Sequence, residues 1–266
     1  MIGQKELREQ FENFNNLPKT VLFIGNIGSG RKTFAYWVAH RNKMPIVVVE
    51  SNAESIRELS AVRVDKPTAY IIADIEQLSV AAQNSLLKIL EETPDNMYFM
   101  LTALQEDLVL PTITSRCFVY RMCNYSRQEL SDYIDQNYNA KEGELNIILD
   151  ICTCPGEINS LMTYDIAEFM NYVQLVYDNI AKVSGANSFK IGSKVNMSDD
   201  TKKYDLGLFW RAFMCLCMKE ISIKNISAVR ITSDYYADLR IKGLKKQIAF
   251  DNWILDIRKA WYNADN

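Results

Sequence analysis

The apolar run in KTVLFIG, residues 19–25, stops at a glycine; the following GNIGSGRKT then leads into an amphipathic segment from Lys32 to His40. A strand-length apolar run that meets a glycine cluster and then helical periodicity reads as strand, loop, helix. Further apolar runs at 45–50, 69–72, 97–102 and 118–120 are each separated by helical or turn-rich sequence. This alternation predicts an α/β fold, with a parallel sheet covered by helices.

Between the strands, Ser79 can cap a helix whose Ala82, Leu86, Ile89 and Leu90 share one face, with Pro94 just past its end. From Asn124 onward the strand signals fade. The rest reads as helices interrupted by CPGE around Pro155 and by a polar stretch at 184–200. A length of 266 residues accommodates two or three domains at about 150 residues or fewer each. The expected division is an α/β domain at 1–122, a small helical domain at 123–164 and a larger helical domain at 165–266. Phe209, Trp210, Phe213, Leu216 and Trp253 are read as core packing, with subunit contact as the alternative. A long amphipathic stretch is expected from Tyr236 to Trp261.

Composition excludes several classes of function. No apolar run of about 18 residues could span a bilayer. The opening MIGQKELREQFENF lacks the apolar stretch of a secretory signal, so a cytoplasmic protein is expected. A net charge of −3 argues against autonomous DNA binding, which needs clustered Lys and Arg; any DNA contact would be shared with partners. Cys117, Cys123, Cys152, Cys154, Cys215 and Cys217 lack CxxC spacing, and His40 is the only histidine. Reduced, mostly buried thiols and no metal site follow.

The glycine loop carries a chemical contradiction. A phosphate-binding loop, GxxxxGK[ST], aims backbone N–H groups at phosphates, places a Lys on the β and γ oxygens, and supplies a hydroxyl for magnesium. Here Gly25 and Gly30 fit, with Gly28 between them, but Arg31 stands at the Lys position and Lys32 at the hydroxyl position. Shifting by one residue gives Lys32 and Thr33 the two roles, but Arg31 then replaces the second glycine. Arg is a broad planar fork and no simple substitute for a compact ammonium. The loop therefore reads either as a tight strand-to-helix turn or as a passive ATP or ADP site at a helix N-terminus.

The most specific stretch is residues 70–117, which contain AAQNSLLKILEETP followed by LPTITSRC. In that order and spacing they resemble the bacterial DNA polymerase III clamp-loader family of the AAA+ superfamily. MIGQKEL and the glycine loop extend the resemblance over nearly all of residues 1–122. It implies a AAA+ domain, a helical lid and a C-terminal helical collar. It also implies a second defect, since Ala73 falls where the family has its magnesium-associated Asp and Asp74 where it has the Glu that helps activate water. CPGEINSL resembles the lid's sensor segment, with Glu157 where an Arg is expected. Residues 34–69 contain no Cys, so the family's zinc module is expected to be absent.

Loss of both nucleotide motifs in a matching scaffold resembles the family's delta-prime subunit, which does not hydrolyse ATP. Arg116, between Ser115 and Cys117 in the SRC motif, resembles the arginine finger that one subunit donates to its neighbour's ATP site. The implied partners are the gamma/tau-type ATPase and delta-type subunits, the sliding clamp, and primer-template DNA through the assembled complex, with no membrane. No cofactor of its own is required. Two other readings stay open: an active ATPase using Lys32, Thr33 and Asp74 in a displaced register, and a AAA+ interaction module outside replication.

Overall fold

The computed structural model describes residues 3–12, 17–180, 195–196, 204–239 and 244–265. The chain divides into two compact units, one of residues 1–129 with 154–156, the other of residues 130–153 with 157–266. The expected boundary at 122/123 thus lies seven residues before the observed one. The expected 164/165 boundary falls inside the second unit, between two helices. The break expected at 184–200 lies outside the described residues, apart from Val195–Asn196.

The first unit is built on five parallel strands, β1 (Thr20–Ile24), β2 (Ile46–Val49), β3 (Thr68–Ile72), β4 (Met97–Ala103) and β5 (Phe118–Arg121). Their spatial order is β2-β3-β4-β1-β5. β1 and β3 are buried along their whole length, which is why their sequences are unbroken apolar runs rather than alternating ones. Alternation reappears in where the side chains go. Val21 and Phe23 join Ala69, Ile71 and Met100 on one face, against α1 (Lys5–Glu12) and α2 (Arg31–Arg41). Leu22 and Ile24 join Tyr70, Ile72, Phe99 and Leu101 on the other, against α3 (Ala53–Glu58), α4 (Val80–Glu91) and α5 (Pro111–Thr114). Aromatic rings fill the first face, with Phe11, Phe23 and Phe34 mutually 5.2–5.8 Å apart between centroids.

The cap expected for α4 is present, with Ser79 Oγ accepting the Ala82 N–H at 3.2 Å. Ala82, Leu86, Ile89 and Leu90 are all buried. Only α2 covers the first face after β1, whereas the helices that follow β2, β3 and β4 cover the second. The carboxyl ends of β1, β3 and β4 therefore meet where the winding reverses, the usual place for a ligand crevice in such sheets.

The second unit is mainly helical. It contains α7 (Glu142–Ile151), α9 (Ile166–Ile180), α10 (Leu206–Cys217), α11 (Ile223–Asp238) and α12 (Lys246–Asp265), with most of α6 (Arg127–Asn137) and α8 (Pro155–Leu161). A two-residue strand pair, Val195–Asn196 with Tyr204–Asp205, is the exception among the described residues. Phe209, Trp210, Phe213 and Trp253 are fully buried, as the core reading expects, while Leu216 is half-buried. The Trp253 indole N–H donates to Thr232 Oγ1 at 2.9 Å, which removes the cost of burying that polar group. The stretch expected to run from Tyr236 to Trp261 is two helices, since Tyr236 lies in the last turn of α11 and α12 begins at Lys246. None of the six cysteines is in a disulfide; Cys152, Cys154 and Cys217 are buried and Cys123 is exposed. Among the described residues, no helix is long and apolar enough to cross a membrane.

Candidate functional site

The glycine loop leaves β1 at the sheet's crevice. Gly25 N–H donates to the Ala103 carbonyl at 3.2 Å, and Ser29 N–H closes a turn on the Asn26 carbonyl at 3.1 Å. Gly28 and Gly30 have φ of +78° and +86°, a region that side-chain-bearing residues rarely enter. Gly30 is the N-cap of α2, so Arg31 is its first helical residue and Lys32 and Thr33 lie exposed in the first turn. The first-turn N–H groups of a helix have no intrahelical acceptor, and the dipole there favours anions.

Arg31 turns inward. Its side chain is 10% exposed, and Nη2 donates to Asp74 Oδ1 at 3.0 Å. Asp74 sits just past β3 with φ of +52°, and its N–H donates to Thr102 Oγ1 on β4 at 3.0 Å. Glu76 completes the cluster, with Oε1 accepting the Leu104 N–H at 3.3 Å. Burial, then the neighbouring Asp74, push the Glu76 carboxyl above its usual range, while Arg31 pulls the other way. Three atoms here are buried without a hydrogen-bond partner: Arg31 Nη1, Glu76 Oε2 and Ser29 Oγ. A buried unsatisfied donor or acceptor costs about 1–3 kcal/mol, so this cluster is strained by ordinary standards.

The outer side of the loop is clasped by later parts of the same unit. Tyr125 Oη donates to the Ser29 carbonyl at 3.0 Å, Cys154 Sγ donates to the Ile27 carbonyl at 3.5 Å, and Gly156 N–H donates to the Gly28 carbonyl at 3.2 Å. A Cβ on Gly156 would lie 2.4 Å from the Gly28 Cα, so only glycine permits this approach. Gln4 ties the N-terminal segment to the same region through reciprocal 2.7 Å hydrogen bonds with the Cys123 backbone. The clasps from Tyr125, Cys154 and Gly156 engage loop carbonyls and none of its N–H groups.

Glu157 lies in the second unit, at the start of α8. It accepts from the Thr153 N–H at 2.6 Å and from Tyr236 Oη at 3.2 Å, and it faces Arg211 Nη1 at 3.5 Å. Its charge is met by a guanidinium of its own unit.

The SRC motif follows α5. Gln83 on α4 explains why the AAQN and LPTITSRC stretches occur together: it is buried, and its Oε1 accepts the Leu110 N–H at 3.1 Å. Arg116 is 37% exposed. Its Nη2 contacts Glu91 Oε1 at 2.8 Å, and its Nη1 donates to the Thr112 carbonyl at 3.0 Å. The Cys117 thiol is pushed up to about 12 by burial, so it stays protonated and unreactive at neutral pH. Ser115 Oγ donates to the Thr112 carbonyl at 3.1 Å.

The structure thus brings Gly25, Gly28, Gly30 and Arg31 together with Asp74. Arg116 belongs to a separate cluster, held by Glu91. Reading the sequence did not find Gln4, Glu91, Thr102 or Tyr125 as site residues. Gln4 lies in MIGQKEL and Glu91 in AAQNSLLKILEETP, whereas nothing local marks Thr102 or Tyr125.

A doubly covered parallel sheet with a glycine loop between an interior strand and a helix defines an α/β fold of the phosphate-loop type. Residues 46–126 match the family described as DNA polymerase III, delta subunit. It is 33% identical over 72 residues to DNA polymerase III subunit delta' of Buchnera aphidicola subsp. Baizongia pistaciae, a match covering 27% of this chain and 21% of that one. It is 25% identical over 243 residues to DNA polymerase III subunit gamma/tau of Mycoplasma genitalium, covering 77% of this chain and 38% of that one. These matches span well under half the length of either relative. Among solved structures, a DNA polymerase III gamma subunit-related protein of Thermotoga maritima superposes with a TM-score of 0.53 at 16% identity. That match covers 96% of this chain and 98% of the other, and it establishes the fold.

Proposed function

We propose that this chain is a delta-prime-like clamp-loader subunit that does not hydrolyse ATP and offers Arg116 to the ATP site of a neighbouring subunit. The observation that carries the reading is the Arg31–Asp74 ion pair, which engages the residue at the loop-lysine position with the acid beside the crevice. The residues present suit a phosphate: two left-handed glycines open the loop, and Arg31 Nη1 lacks an acceptor. They do not suit magnesium, because Lys32 offers no hydroxyl, Ala73 has no carboxylate and Asp74 is engaged by a cation. Phosphoryl transfer depends on the ion and its placement, so we assign no hydrolytic step to this loop. Passive ATP or ADP binding is compatible with the loop and not required.

In this reading, gamma/tau-type ATPase subunits supply hydrolysis, and a delta-type subunit, the sliding clamp and primed DNA complete the assembly. The half-exposed Arg116 suits a role in trans, because a guanidinium neutralises charge on a transferring phosphoryl group. The test compares clamp- and DNA-stimulated ATP turnover of the reconstituted complex, wild type against Arg116→Ala, with the isolated chain as control. An inert isolated chain, an active complex and a sharp loss with Arg116→Ala are expected. Turnover by the isolated chain, failure to enter the complex, or indifference to Arg116→Ala would each sink the proposal.

A further inference from the structure

We infer that Glu91 is a positioning residue for Arg116, an inference that rests on the reading of Arg116 as a residue acting in trans. Helix α4 holds the SRC-bearing segment at two points. Gln83 accepts the Leu110 N–H at the segment's start, and Glu91 accepts from Arg116 Nη2 at its end. Eight residues of α-helix separate these two side chains, about 12 Å along the axis. The buried Gln83 fixes where the segment begins, so the place where Arg116 emerges follows from the helix.

The guanidinium itself needs a further constraint. An unrestrained Arg side chain samples many rotamers, and freezing it on engagement costs rate. Here its plane is set from two sides. Nη2 lies on Glu91 Oε1 at 2.8 Å, while Nη1 reaches the Thr112 carbonyl at 3.0 Å and Ser115 Oγ at 3.4 Å. An arginine carries five N–H donors in a fixed fork, so Nε–H and the second Nη2 proton are left to meet a phosphate. Glu91 is 44% exposed at its side chain, so the pair contributes little to stability by itself. Its consequence is orientation, achieved before the neighbour's nucleotide arrives.

The experiment measures kcat and KM for ATP in the reconstituted complex with Glu91→Gln, Glu91→Asp, Arg116→Ala and the double variant Glu91→Gln/Arg116→Ala. Gel filtration scores entry of each into the complex. Glu91→Gln is expected to lower kcat about three- to tenfold, the scale of one restored side-chain freedom, with KM unchanged. Glu91→Asp should recover part of the loss, and the double variant should match Arg116→Ala alone, because Glu91 acts only through that guanidinium. Three kinetic results with the Glu91 variants would overturn the inference: wild-type kcat with Glu91→Gln, faster turnover, which would make Glu91 a competitor for the finger, or additive losses in the double variant. Any of these alongside a slow Arg116→Ala leaves the finger reading intact. An Arg116→Ala complex with full turnover removes both. If Glu91→Gln fails to assemble while Glu91→Asp does, the carboxylate is structural and the inference fails.

Discussion

Replacing Asp74 by Asn tests whether the ion pair organises the loop. The substitution keeps the shape and one carbonyl oxygen but removes the charge facing Arg31. Breaking a buried pair by removing one partner costs about 3–5 kcal/mol, and an exposed pair is worth about 0–1 kcal/mol. Here Arg31 is 10% exposed and Asp74 42% exposed, so the pair falls between these cases. Arg31 Nη1 already lacks a partner, and the variant would leave the whole guanidinium without a charged neighbour except the more distant Glu76. A loss of about 2 kcal/mol follows. For a unit of this size an unfolding entropy of about 2.1 cal/mol/K per residue converts that loss to roughly 7 °C in Tm. Urea unfolding of the whole chain, with hydrogen exchange followed in peptides covering β1 and α2, separates this unit from the second. The cost should shrink when Arg31→Met is combined with Asp74→Asn, because the stranded cation is then gone. An Asp74→Asn variant as stable as wild type, or full additivity with Arg31→Met, would refute the coupling.

The remaining predictions concern the same unit. Combining Arg31→Lys with Lys32→Thr restores the loop's lysine and hydroxyl, and should tighten ATP binding by about tenfold in calorimetry, the value of one added charge-assisted contact. On the proposed reading no hydrolysis should accompany the tighter binding, since Ala73 offers no carboxylate. Gly156→Ala drives a Cβ to 2.4 Å from a backbone atom and must break the hydrogen bond to Gly28, so faster amide exchange in residues 25–33 is expected. Because the folded-state pKa of Glu76 is raised, the folded chain binds more protons there than the unfolded one. Its contribution is fully present below the ordinary carboxylate pKa and is lost as pH rises towards the raised value. Glu76→Gln should therefore gain stability relative to wild type as pH increases across that window, and denaturant midpoints at several pH values would show the opposite trend if the reasoning fails.

The sequence by itself determined the sheet strands, α2, the capped α4 and the glycine loop, because each is written in a local window: apolar runs, a 3.6-residue period, a capping serine, glycines where φ must be positive. It also revealed that either register of the loop motif carries a defect, with Arg31 at the lysine position in one and in place of the second glycine in the other. It did not reveal that Leu216 would be only half-buried or that the helical stretch after Tyr236 would divide, since both depend on neighbours outside the window. Only the tertiary structure decided what the charges do. Arg31 meets Asp74 across 43 positions, Arg116 meets Glu91 across 25, and Tyr125 reaches the Ser29 carbonyl across 96. These meetings depend on strand order and register: parallel crossovers bring the carboxyl ends of β1, β3 and β4 to one edge, and α4 lies along the segment that carries Arg116. Spacing along the chain holds no trace of them until the sheet has formed.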